Sequence, residues 1–159
     1  MGKIKEYVLP AAFVLLLLAI DQVTKHLAVV YLRPIREFVI IDGVFSLLYW
    51  ENSGMAFGLF QGGRWFFVVL TLAVFGFIAW YYRSLPKTRY HNIMRFFLLM
   101  LTGGALGNFV DRLTQGYVVD FFFISLINFP IFNMADVFLV VAVAALLVLT
   151  LFMKEPKNG

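Results

Sequence analysis

The sequence predicts a membrane protein that is mainly α, with four transmembrane helices and a small extracytoplasmic β-hairpin or cradle. Three observations carry that expectation. The 159-residue chain is 62% hydrophobic and 14% charged, with a mean hydropathy of +0.89, whereas a soluble domain carries about 25% charged residues. Four apolar segments approach the roughly 20 residues a helix needs to cross the hydrocarbon core. The Lys and Arg residues that flank those segments cluster on alternate connections. The length fits one membrane domain over 1–159. The net charge of +4 is scattered and forms no basic stripe of the kind that tracks nucleic acid. The absence of Cys removes disulfides, thiolate catalysis and Cys-ligated metals.

The first span is expected at about 7–30. Lys3 and Lys5 precede it, as in a signal peptide, but "DQVTKHLAVVYL" at its far end has no small-x-small cleavage site, so an uncleaved anchor is expected. Next comes "EFVIIDGVFSLLYWENSG". Two β-rich runs flank Asp42-Gly43, a dipeptide suited to a type I′ hairpin turn. The apolar hairpin is expected against the membrane surface, with Tyr49 and Trp50 in the interfacial belt. A glycine-rich segment, "ENSGMAFGLFQGG", leads to the second span at about 65–82.

The connection "RSLPKTRYHNIMR" carries Arg83, Lys87, Arg89 and Arg95 before a third span at about 93–109. A second long connection, "DRLTQGYVVDFFFISLINFPIFN", is too apolar for a free loop and should lie along the outer leaflet or pair with the hairpin. The fourth span is expected at about 135–153, before a loose tail, "KEPKNG", with Lys154 and Lys157. The basic residues place both termini in the cytoplasm and the connections at about 31–64 and 110–134 outside.

An ionisable side chain within a span costs at least about 2.5–3.5 kcal/mol, so each needs a partner or a task. Asp21 and Lys25 are four apart on one helical face, where they can simply neutralise each other. In "TGGALGNFVDRL", Gly103, Gly104 and Gly107 allow close helix packing; Asn108 and Arg112 share a face and Asp111 lies beside it. Asn133 in "FNMAD" suits a helix N-cap, with Asp136 in the first turn. Asp120 stands alone among apolar residues in "YVVDFFFI". Each of these has a plain structural explanation. Their convergence, with Asn52, at one interface does not.

His26 and His91 fall at opposite ends of spans, and neither an H-E-x-x-H nor a G-x-S-x-G motif is present. Carboxylates remain, with Asp120 and Asp136 as the plausible pair: two close carboxyls share a proton, so that one acts as base and the other as acid. A small transporter or channel subunit, with Asp21, Lys25, Arg112 and Asp136 as a polar relay, is the alternative. It calls for polar residues spread through the bilayer and an internal repeat, and the sequence has neither.

Five motifs, "DQVTK", "ENSGMAFG", "GGALGNFVDR", "GYVVDFF" and "FNMAD", come in an order and spacing that resemble the lipoprotein signal peptidase (signal peptidase II) family over essentially the whole chain. The resemblance implies an aspartic endopeptidase of the bacterial inner membrane. It would cut prolipoproteins just before a diacylglyceryl-modified Cys, without metal or cofactor, and be a target of globomycin. It implies Asp120 and Asp136 as the catalytic pair. Asn52, Gly54, Asn108, Arg112 and Asn133 would line the site or position substrate, Asp21 and Lys25 would support it, and Asp111 would be structural.

Overall fold

The computed structural model describes residues 2–54 and 62–153, with side chains from residue 7 onward. The side chains of Lys3 and Lys5, the glycine-rich stretch at 55–61 and the tail at 154–159 lie outside the described residues. Among the described residues, four helices are long and apolar enough to cross a membrane: α1 (Gly2–Leu27), α2 (Arg64–Ser84), α3 (Arg89–Thr114) and α4 (Met134–Phe152). A π-helical turn, Ala28–Leu32, extends α1 towards the sheet. The helix α3 is longer than expected. It continues to Thr114, so Asp111 and Arg112 belong to its last turns and not to the following connection.

Local chemistry sets the helix ends. Leu85, held extended ahead of Pro86, closes α2. Thr88 then caps α3 by accepting from the His91 N–H at 3.3 Å. Arg95 donates to the carbonyls of Leu85 and Pro86 and seals this turn. Asn133 opens α4 with a reciprocal capping box to Asp136.

Among the described residues, three strands form one antiparallel sheet in the order β1 (Glu37–Ile41), β2 (Phe45–Asn52), β3 (Val118–Phe123). The second long connection therefore pairs with the hairpin. The hairpin turn differs from type I′: Gly43 has φ +67°, but Asp42 is not among the described residues with positive φ. Type I′ needs positive φ at both central residues. Here Ile41 pairs with Phe45 around a three-residue loop, and an irregularity between Val39 and Ile41 absorbs the mismatch. Tyr49 also departs from expectation. Neighbouring strand residues face opposite ways, so Trp50 is exposed while Tyr49 is buried against Ala28, Leu32, Val119 and Phe121.

The central helix is α3, which packs against the other three. Its glycines permit this. A Cβ on Gly104 would lie 2.6 Å from the Ala135 carbonyl oxygen of α4, and one on Gly107 would collide with the Asp21 carboxylate. Beyond β3 the chain folds back, and the Phe132 carbonyl accepts from the N–H groups of Phe121 and Phe122 at 3.0 and 2.8 Å. That return sets the start of α4 beside the middle of β3.

Candidate active site

The polar residues of the spans meet at the end of the bundle that carries the sheet. Asp120 is 2% exposed at the middle of β3. Asn52 pairs with Val118 in register, so it lies diagonally across from Asp120. Its Nδ2 donates to Asp120 Oδ2 at 2.9 Å. Asn133 Nδ2 donates to the other oxygen at 2.6 Å. Burial pushes the Asp120 carboxyl up to about 7, and the nearby Asp136 charge adds to the rise, against the hydrogen bonds from Asn52 and Asn133 and the charge of Lys25.

Asp136 lies in the first turn of α4. Its Oδ2 accepts from the Asn133 backbone N–H at 3.1 Å, and its Oδ1 from Asn108 Nδ2 at 2.8 Å. Asn133 thus holds both carboxylates, one through its side chain and one through its backbone. Asn133 Nδ2 also reaches Asn108 Oδ1 at 3.2 Å, which joins α3 to the pair.

Arg112 is the cation at the edge of this group. It donates to the Gly54 carbonyl at 3.1 Å and lies over the Phe67 ring, 4.6 Å from its centroid. The Gly54 N–H donates to Asn52 Oδ1 at 3.0 Å. A cavity of about 630 Å³ opens over these residues. Asn52, Gly54, Asn108, Arg112, Asp120 and Asp136 form its polar part, and Phe67, Leu70, Val137 and Val140 are among its apolar walls.

Asp21 and Lys25 lie below the carboxylates, 0% and 3% exposed. Their expected i,i+4 ion pair forms at 2.8 Å, and Lys25 makes a second one to Asp111 at 3.0 Å. Gln22, which sequence reasoning passed over, donates to Asp111 Oδ1 at 2.9 Å. Its position beside Asp21 was the one available clue. His26 is exposed near the end of α1, and His91 is buried at the start of α3.

The fold and site define a membrane-embedded, four-helix protein with one buried carboxylate, Asp120, and one half-buried carboxylate, Asp136, at the polar edge of an apolar cavity. The comparisons agree with that class. The sequence profile of the family described as signal peptidase (SPase) II matches residues 13–152. The lipoprotein signal peptidase of Symbiobacterium thermophilum is 45% identical over 142 residues, covering 87% of this chain and 91% of that protein. That of Streptococcus pyogenes serotype M1 is 38% identical over 136 residues, covering 84% and 87%. A bacterial membrane enzyme solved by the in meso method superposes with a TM-score of 0.80 at 28% identity, covering 96% of each chain. The chain belongs to the signal peptidase II family, a family of proteases. None of these comparisons supports a transporter.

Proposed function

We propose that this chain is an aspartic endopeptidase that cleaves prolipoproteins just before a diacylglyceryl-modified cysteine, with Asp120 and Asp136 as its catalytic pair. The observation that carries this reading is the joint hold of Asn133 on both carboxylates beside the apolar cavity. Two neighbouring carboxyls favour a shared proton. The ionised one takes a proton from water, and the hydroxide formed attacks the scissile carbonyl carbon. The protonated one gives its proton to the departing nitrogen as the C–N bond breaks.

Other residues have supporting parts. Asn108 and Asn133 orient the pair, while Asn52, Gly54 and Arg112 line the cleft where the peptide backbone would lie. The apolar walls suit a lipid-anchored substrate that arrives laterally from the bilayer. Both termini face the cytoplasm of a bacterial cell and the site lies near the outer face of its cytoplasmic membrane, a topology supported by the basic residues on the inner connections. The whole chain acts as one membrane domain. Globomycin-type cyclic peptides would compete for the same cavity.

The test is processing in cells that lack their own copy of the enzyme. Asp120→Asn and Asp136→Asn should each leave uncleaved prolipoprotein in the membrane. Normal processing by either variant would sink the assignment of the pair.

A further inference from the structure

The proposed reaction leaves one cluster of buried charges without a task. The Lys25 ammonium meets Asp21 Oδ2 at 2.8 Å and Asp111 Oδ2 at 3.0 Å, and it donates to Asn108 Oδ1 at 2.9 Å. An ammonium has three donors, and these three acceptors satisfy them. Among the described residues its ion pairs are with Asp21 and Asp111, not with Asp120 or Asp136.

Both of its carboxylate partners reach further. Asp21 Oδ1 accepts from the Ala135 N–H at 2.9 Å, and Asp111 Oδ2 accepts from the Val119 N–H at 3.2 Å. Ala135 immediately precedes Asp136, and Val119 immediately precedes Asp120. Neither N–H has an obvious alternative. The first N–H groups of a helix lack intrahelical partners, and β3 is at the edge of its sheet. Each supporting carboxylate therefore anchors the backbone one residue before one member of the pair. The third partner of Lys25, Asn108, donates to Asp136 itself.

We propose that Lys25 is a positioning residue that sets the separation of the Asp120 and Asp136 carboxyls, acting through Asp21 and Asp111 and the backbone N–H groups those two hold. This rests on the assignment of the pair made above. Without the ammonium, two buried carboxylates face each other between α1 and α3 and lose their fixed spacing, either driven apart or drawn together over a shared proton. The anchors at Ala135 and Val119 move with them. A cluster that served only helix packing would have no reason to end on these two N–H groups.

The experiment uses the full chain in lipid–detergent micelles, a synthetic diacylglyceryl-modified peptide as substrate, and thermal unfolding to confirm that each variant is folded. Lys25→Met should lower kcat by about 10²-fold, the loss expected for a displacement near 1 Å, while KM stays close to wild type. Adding Asp111→Asn removes one of the two opposed charges but keeps an acceptor for the Val119 N–H, so the double variant should regain roughly tenfold in kcat. A packing role alone would lower the unfolding temperature and leave kcat of the folded variant unchanged, and that result would overturn the proposal.

Should Lys25→Met not fold, Asp111→Ala decides, because it leaves Lys25 paired with Asp21. A large fall in kcat at constant KM supports the proposal, and an unchanged kcat refutes it. Asp120→Asn is run alongside. If it stays active, the assignment of the pair has failed. If it is inactive while folded Lys25→Met and Asp111→Ala keep wild-type kcat, only the positioning role has failed.

Discussion

Asp120→Asn should make the protein more stable at neutral and alkaline pH and less stable in acid, where the carboxyl is protonated and only the unmatched donor counts. The sign follows from the direction of the carboxyl's shift. Its ordinary value is 3.8, and burial in the fold raises it to about 7. Protonated Asp120 therefore favours the folded state. That contribution is complete below about pH 3.8, fades as pH rises through about 7, and then stays lost. At about 1.4 kcal/mol per pH decade, the ionised carboxyl costs the fold on the order of 4 kcal/mol at pH 8. An amide at this position avoids that cost, but not freely. Asn52 and Asn133 both point N–H donors at Asp120, and an amide can accept from only one of them through its oxygen. Leaving a buried donor unmatched costs about 1–3 kcal/mol. The net gain at pH 8 is then about 1–3 kcal/mol, or a few degrees of unfolding temperature for a chain of this size. Thermal unfolding of both proteins in micelles, from pH 4 to pH 8.5, measures it. A stability difference that does not grow with pH would refute the assignment of a buried, proton-holding Asp120.

Two further outcomes rest on the same geometry. Asn133→Ala removes the α4 cap and the hydrogen bond to Asp120. It should destabilise the protein by about 2–4 kcal/mol and reduce cleavage sharply, as measured by thermal unfolding and by turnover of the lipidated peptide. Gly107→Ala forces a methyl group onto the Asp21 carboxylate. Overpacking of this kind costs about 1–3 kcal/mol, and since the carboxylate must shift, cleavage by the folded fraction should fall too. Wild-type turnover in either variant would count against the positions assigned to these side chains.

The parts of this fold that were legible in the sequence are those set within one element. Span length and apolarity place the four helices, and the spacing of Asp21 and Lys25 gives their ion pair. The order Asn133–Asp136 gives the cap of α4. What was not legible depends on how elements rotate against one another. The helix α3 touches three others, so it has no single apolar stripe to reveal which side faces α1. Asp111 consequently looked merely adjacent to the Asn108 face, whereas it is the second partner of Lys25. The same applies to Tyr49. Two neighbouring aromatics on a strand must face opposite ways, but which one turns inward is decided by the docking of Ala28 and Leu32 from the turn after α1.

Asp136 shows why a structural explanation for a residue need not compete with a functional one. An Asn cap followed by an acidic residue is what a helix start calls for, and Asp136 fulfils that role with Oδ2 on the Asn133 N–H. Its Oδ1 is held separately, by Asn108 from α3. A carboxylate with both oxygens bound has little freedom to rotate. Its orientation is therefore fixed before any substrate arrives, and the capping geometry supplies part of the preorganisation that the proposed chemistry would need. Asn133 extends the economy, because the residue that caps α4 also donates to Asp120. Residues that stabilise the helix start and residues proposed to align the pair are here largely the same residues, so the two roles separate only in measurements that read stability and turnover on the same folded variant.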